Sequence, residues 1–323
     1  MTRTRSPRKA LHGVLLIDKP YGWSSNDALQ KVKGMLRAQK AGHTGTLDPL
    51  ATGLLPLCFG AATKFSQASL DADKTYRATI ALGVTRVGGD LEGEVVATRP
   101  VAFDDARLAA AVASLTGPIE QRAPMQSALK HEGRALYDYA RAGIEVERAP
   151  RRVTVHRFDI VARHAVDAME VELRVSKGTY VRTLAEDLGE ALGCGAHLVA
   201  LRRLASGALS LDGAVDLEAL QALDPDEREA RLLPPDALLG DVPAVHLSAD
   251  DAGRFLAGVR RRIDAEDAAC LRVYGPAVTG QPVFLGSAHV KAGELIPTRL
   301  LSPVEAQALA TIPSSRTLQA SLP

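Results

Sequence analysis

Between Gly42 and Gly60 the chain carries one charged residue, Asp48, and five glycines or prolines fall within Gly42 to Pro56. A helix does not tolerate breakers at that density, so the segment predicts a shaped loop. Pro49 removes a backbone donor and pushes Asp48 towards an extended conformation. Leu54 to Phe59 then reads as a buried strand. Any fold for this chain must therefore hold a rigid, glycine-rich loop with a single acid at the mouth of a core strand. Such a place suits a catalytic carboxylate. Taken alone, Asp48 reads more simply as an Asx-turn residue bonding its own backbone.

The chain has 323 residues, 46% of them hydrophobic and 24% charged, which suits an ordinary soluble globular protein with a sizeable core. That length fits two domains, or one large domain and a small module. The net charge is only +1, so bulk charge does not announce a nucleic-acid binder. Its distribution says more. Arg3, Arg5, Arg8 and Lys9 form a basic tail, and Lys31, Lys33, Arg37 and Lys40 precede the Asp48 loop. Arg148, Arg151, Arg152 and Arg157, then Arg202 and Arg203, then Arg260 to Arg262 form further groups, while acids gather between Asp212 and Asp236. Local basic patches on a neutral chain fit a polyanionic partner, although any one of them could equally be a solvated face.

Cys58, Cys194 and Cys270 are few, odd in number and widely spaced, which points to a reducing compartment and away from a disulfide framework. Cys194 and His197 have half of a zinc spacing and lack the other half, so no metal is expected. No apolar run reaches the ~18 residues of a membrane span. Val14 to Ile17 is followed at once by Asp18 and Lys19, so no signal peptide is read and a cytoplasmic protein is expected. There is no Gly-Lys-Ser/Thr, no dinucleotide fingerprint after a strand and no serine nucleophile elbow, so the expectation is chemistry without a cofactor.

Along the chain, Val14 to Ile17 predicts a short strand, and Ser24 or Ser25 caps a helix with Ala28, Leu29, Val32, Met35 and Leu36 at helical spacing. Tyr76, Ala78, Ile80 and Leu82 alternate with polar or small residues, as a half-buried strand does. Val153 to Val161 and Met169 to Ser176 predict neighbouring strands. A helix then runs to Leu192 and stops at Gly193, and His197 to Leu204 is a further strand. Strands in bulk with single helices between them predict an α+β domain with a largely antiparallel sheet. After an acidic, proline-rich connection from Asp212 to Asp241, several short strands and one helix predict a small β-rich module.

Around Asp48 the useful partners come from distant segments. Lys19 ends the first strand, Tyr76 begins another, and Arg182 lies in the first turn of a helix. An arginine beside a carboxylate orients it and favours its charged form. A tyrosine offers a flat face for a base and a hydroxyl for proton transfer, although core packing is the simpler reading of Tyr76. Arg182 is a cation at a helix N-terminus, against the helix dipole, and that misplacement hints at a partner acid.

These residues carry a resemblance. The chain resembles the TruB family of bacterial tRNA pseudouridine-55 synthases through Gly13-Val-Leu-Leu-Ile-Asp-Lys-Pro20, Ser24-Ser-Asn-Asp27 and Gly42-His-Thr-Gly-Thr-Leu-Asp-Pro-Leu-Ala-Thr-Gly53. Ala62-Thr-Lys-Phe65, Asp73-Lys-Thr-Tyr76, Ser176-Lys-Gly-Thr-Tyr-Val-Arg-Thr183 and Leu201-Arg-Arg-Leu204 follow in the family's order. Phe284-Leu-Gly286 and Leu295-Ile-Pro-Thr-Arg-Leu300 look more loosely like the family's PUA RNA-binding domain. The resemblance implies a pseudouridine-synthase catalytic domain over residues 12–240, a PUA-like module over 241–312, a basic tail over 1–11 and a disordered tail over 313–323.

It also implies an isomerase that turns one uridine in the TΨC loop of tRNA into pseudouridine by base flipping, with Asp48 as the catalytic aspartate. Tyr76 matches the tyrosine that stacks on the target base, and Arg182 the arginine that pairs with the acid. Lys19, Tyr180 and Leu201 match pocket positions, and His43 the histidine that enters the T-loop where the base leaves. Attack of the carboxylate on C1′, attack on C6 and assistance to a glycal route all stay open. No cofactor, metal, membrane or obligatory protein partner is implied, and a monomer is expected. A non-catalytic tRNA-binding or folding protein on the same scaffold is the alternative, and an RNA-guided synthase with partner proteins is a third reading. The segment Thr85 to Asp90 departs from the family's Thr-Asp-Thr-x-Asp pattern by lacking its first acid. The expectation is altered loop contacts with RNA, with no chemistry residue in that segment.

Overall fold

In a computed structural model, residues 7–278 and 280–311 are described. Arg3 and Arg5 of the basic tail and the expected disordered tail, 313–323, lie outside them. The apolar run after the Asp48 loop forms the strand Ala51–Phe59, with seven of its residues from Gly53 to Phe59 sealed from solvent. It pairs antiparallel with Gly13–Lys19, Leu15 facing Leu57, and along the short stretch Ala51 to Gly53 it pairs parallel with Ala196–Ser206. Beyond Ala196–Ser206 the sheet continues through Lys74–Leu82, Ala168–Val175, Arg151–Ala165 and Gly117–Gln121, every one of these pairings antiparallel. Val215–Asp216 adds a parallel edge beside Gly13–Lys19. The α+β expectation of a mixed, largely antiparallel sheet therefore holds, in a sheet of ten strands among the described residues.

Local chemistry explains the elements that flank the loop. The helix Ser25–Met35 starts at Ser24, whose hydroxyl accepts from the Asp27 N–H while the Asp27 carboxylate accepts from Ser24 in return. The helix Val181–Leu192 buries Leu184, Ala185, Leu188 and Leu192 on one stripe and ends on Gly193 in the left-handed conformation. That stripe packs on Ala78, Ile80, Val171 and Leu173, which alternate inward along their strands.

The C-terminal strands form a second, five-stranded sheet in the order Ala244–His246, Ala268–Val278, Gln281–Lys291, Glu294–Leu300 and Arg261–Arg262. The helix Pro303–Ala310, which the sequence reading did not foresee, packs beside it. This sheet does not hang on a tether. One apolar cluster runs from Val14, Leu16, Leu54 and Phe65 of the larger unit into Val273, Phe284 and Leu285 of the smaller. The rings of Phe65 and Phe284 lie 5.1 Å apart. Lys64 Nζ donates to the Leu300 carbonyl at 3.0 Å, and the Tyr274 hydroxyl donates to Asp236 at 2.5 Å.

Candidate active site

The Asp48 loop is held from two sides. Ser25 Oγ accepts from the Leu47 N–H at 2.8 Å and donates to the Leu47 carbonyl at 3.0 Å, so the first turn of a helix grips the residue before Asp48. From beneath, Arg203 donates Nε to the Leu54 carbonyl at 2.7 Å and Nη2 to the Gly45 carbonyl at 3.2 Å. Gly53 makes this approach possible. It has a φ of +97°, and a Cβ there would stand 2.3 Å from the Arg203 carbonyl oxygen.

Arg182 joins the loop to the rest of the site. Its Nη2 lies 2.9 Å from Asp48 Oδ2, and its Nη1 lies 3.4 Å from Asp90 Oδ2. The guanidinium also donates to the main-chain carbonyls of Gly88, at 3.2 Å, and Gln126, at 2.7 Å. The hint from its place at a helix N-terminus is therefore met by two acids. The Asp48 side chain remains 43% exposed while that of Arg182 is 5% exposed, so the acid faces the solvent and its partner does not.

Asp48, Tyr76, Tyr180, Arg182 and Leu201 line one cavity of about 390 Å³. A wider cleft of about 830 Å³ shares Asp48 and Arg182 and includes His43, Gly88, Asp90, Tyr137 and Arg141. Lys19 lines neither; it is 0% exposed and donates to the Pro20 and Trp23 carbonyls at 2.9 and 2.6 Å. Burial pushes its pKa down to about 8; Asp48 opposes that shift and Arg203 adds to it. Burial, then the Arg203 charge, also lowers the pKa of His43, which favours the neutral imidazole. Its Nδ1 is sealed off without a hydrogen-bond partner among the described residues.

Three residues of the site escaped the sequence reading. Lys74 lines the cavity and donates to the carbonyls of Ser69, Leu70 and Ala72. Burial, with Arg203 nearby, pushes its pKa down to about 8. Lys74 and Tyr76 stand two residues apart on one strand and share a face, a signal that the period of two could have given. Arg203, read as half of a surface patch, is 1% exposed and sits opposite Tyr76 across the sheet. Its neighbour Arg202 points the other way and pairs with Asp18.

Asp90, in the segment expected to hold no residue of the chemistry, meets the arginine that pairs with Asp48. Gly88 and Gly89, with φ of +81° and +76°, turn the chain so that Asp90 is buried against Arg182. Burial raises the Asp90 pKa and Arg182 opposes it. Glu186, one turn along the helix from Arg182, is likewise raised, by burial and then by Asp187. Cys194 and His197 are both buried, and His197 Nδ1 lies 2.9 Å from the Val84 carbonyl. Among the described residues no group of three or more His, Cys, Asp or Glu could hold a metal ion.

Chemically, the arrangement is an acid paired with one buried guanidinium at a cavity whose lining includes Tyr76 and Tyr180, with three further buried cations, Lys19, Lys74 and Arg203, in the site. Residues 33–181 match the model of the TruB family pseudouridylate synthase N-terminal domain. Residues 182–240 match the tRNA pseudouridylate synthase B C-terminal domain, and 243–301 the pseudouridine synthase II TruB C-terminal model. The tRNA pseudouridine synthase B of Ralstonia nicotianae is 56% identical over 304 residues, 93% of this chain and 97% of the relative. That of Verminephrobacter eiseniae is 54% identical over 319 residues, 97% and 96% of the two chains. Among solved structures, a Cbf5-Nop10-Gar1 complex aligns with a TM-score of 0.70 at 21% identity, over 92% of this chain and 87% of that one. An H/ACA RNP bound to a substrate RNA containing 2′-deoxyuridine aligns at 0.68 and 19%, over 91% and 86%. At those identities the structural likeness speaks to the fold alone. Family models along the chain and near-full-length relatives at more than half identity agree: the chain belongs to the TruB family of pseudouridylate synthases.

Proposed function

We infer that this chain is a tRNA pseudouridine synthase that isomerises the uridine at position 55, in the T stem-loop, with Asp48 as its catalytic residue. The observation that carries the site assignment is the ion pair of Asp48 with the buried Arg182, at the edge of a cavity walled by Tyr76, Tyr180 and Leu201. The reaction breaks the N1–C1′ bond of the nucleotide and forms a C5–C1′ bond, so atoms and electrons balance within one substrate. The target uridine must leave the loop stack to enter the cavity, at a cost of a few kcal/mol. Tyr76 and Tyr180 offer aromatic faces to the flipped base, and Leu201 an apolar one. A neutral His43 suits the space the base vacates, because a flat imidazole stacks without carrying a charge into the loop.

Arg182 orients Asp48 towards the nucleotide, and Asp90 holds the other side of the guanidinium so that it cannot swing away. Lys19, sealed beneath the loop, adds positive potential under the carboxylate. Attack on C1′, attack on C6 and proton removal towards a glycal all begin with the ionised Asp48 facing the nucleotide. Residues 12–240 form the catalytic unit in this reading, and 241–312 a PUA-like unit that extends the RNA surface. The protein works as a monomer in the cytoplasm, without a protein partner. Among the described residues no helix is long and apolar enough to cross a membrane.

The test is pseudouridine formation on an unmodified tRNA transcript by the purified protein in EDTA, with no cofactor added. Conversion of the single T-loop uridine is expected. Conversion elsewhere in the tRNA, or none until a metal or a partner protein is supplied, contradicts the reading.

A further inference from the structure

Arg151 belongs to a run of arginines that the sequence offers as a surface patch, yet its side chain turns inward. Its guanidinium carbon stands 4.6 Å from the centre of the Tyr180 ring. Nε and Nη2 are sealed from solvent and have no hydrogen-bond partner among the described residues. Sealing two nitrogens of a half-buried guanidinium from water is costly unless something electron-rich faces them, and the face of Tyr180 is in place to do so. The planar guanidinium suits that contact where an ammonium would not.

Directly across the sheet from Arg151 stands Gln121, so the two side chains leave the same face of adjacent strands. Gln121 is 2% exposed. Its Oε1 accepts from the Tyr180 N–H at 3.1 Å, and its Nε2 donates to the Tyr180 carbonyl at 3.3 Å. Tyr180 is also the residue that opens the helix Val181–Leu192, and its own side chain makes no capping bond. The cross-strand pair thus grips Tyr180 twice, by its backbone and by its ring, just before Arg182 in the chain.

We propose that Arg151 and Gln121 are positioning residues for the isomerisation, fixing the Tyr180 ring as one wall of the Asp48 cavity. The proposal rests on the reading of Tyr180 as a wall for the flipped base. Neither residue lines the cavity, so both act through Tyr180. They set how the base lies against Asp48 and leave the binding of the tRNA backbone untouched.

The experiment is a double-mutant cycle on the full-length protein, using Arg151→Ala and Tyr180→Leu, read by single-turnover pseudouridine formation and by tRNA affinity at several salt concentrations. Tyr180→Leu keeps apolar bulk while removing the ring, which protects folding; thermal melting confirms that each variant is folded. Arg151→Ala is expected to slow the single-turnover rate roughly tenfold, the scale of a desolvated cation–π contact. Affinity and its salt dependence stay at wild-type values, Arg151→Lys restores part of the rate, and in the Tyr180→Leu background Arg151→Ala has no further effect. If Tyr180→Leu is slow but the Arg151→Ala effect simply multiplies with it, the positioning role is overturned while the wall survives. A drop in affinity with a shallower salt slope overturns it too, because Arg151 is then a phosphate contact. If Tyr180→Leu reacts as fast as wild type, the wall reading fails and the positioning role falls with it.

Discussion

Lys74, Arg182 and Arg203 line the cavity of Asp48 and Lys19 feels its charge from just outside, and this floor of four cations is buried, none more than 7% exposed, each donating to at least two main-chain carbonyls. At the rim of the neighbouring cleft, the hairpin of Lys130–His131 with Arg134–Ala135 and the helix Leu136–Arg141 also carry cations, but these are exposed. There Arg134 lies over the Tyr139 ring and Arg141 over Tyr137, which is itself 40% exposed. The floor spends its donors on the protein's own backbone, so its geometry is set when the chain folds. The rim leaves its cations exposed, although Arg134 also donates to the Asp138 carbonyl at 2.7 Å, so phosphates can displace solvent and counterions there. In the proposed function, placement of the reacting acid falls to the buried floor and capture of the polyanion to the exposed rim.

The contrast breaks first at Arg182. Arg182→Met removes the partner of Asp48 and leaves Asp90 buried without its cation. Turnover on tRNA transcripts is expected to fall by about 10²–10³-fold, as when a preorganised charge is lost. Stability is expected to fall by roughly 3–5 kcal/mol, the scale for half of a buried pair, measured by urea unfolding. The rim should answer differently. Lys130→Ala and Arg134→Ala are each expected to weaken tRNA binding a few-fold and to reduce the salt slope by about one. Single-turnover rates at saturating enzyme should match wild type for both, and the melting temperature for Lys130→Ala, while Arg134→Ala also loses its bond to the Asp138 carbonyl and its contact with Tyr139.

A smaller effect sharpens the comparison through pH. Folded protein releases the Lys19 proton near pH 8, while the unfolded chain holds it to its ordinary 10.5. Between those values the unfolded state carries more protons, so wild-type stability should rise with pH relative to Lys19→Met across that window. A flat difference between the two melting curves would mean that Lys19 is solvated.

Much of the floor was legible because its signals are local. Gly45 and Pro49 mark the loop, whereas Gly42, Gly53 and Pro56, also read as breakers of a loop, lie in the strands Ala41–His43 and Ala51–Phe59; a serine cap at Ser24 or Ser25 announced the helix that grips the loop, and Arg182 stood where a helix dipole disfavours a cation. Lys74 and Arg203 could have been read from the period of two beside Tyr76 and Leu201, since residues two apart share a strand face. Asp90 could not. It reaches Arg182 through a bridge to Leu198, more than a hundred residues along the chain, and no local pattern encodes such a pairing. The docking of the C-terminal sheet was hidden for the same reason, because Phe65 and Phe284 meet only once both units have folded.

The proposed reaction depends on one carboxylate, so Asp48→Asn is the most direct test of the account. The substitution keeps size and shape, and Asp48 is partly exposed, so the fold and the Arg182–Asp90 contact should persist. Single-turnover pseudouridine formation should fall below detection while tRNA binds with wild-type affinity. Product formation at the wild-type rate by a folded Asp48→Asn protein would contradict the assignment of Asp48 as the reacting group.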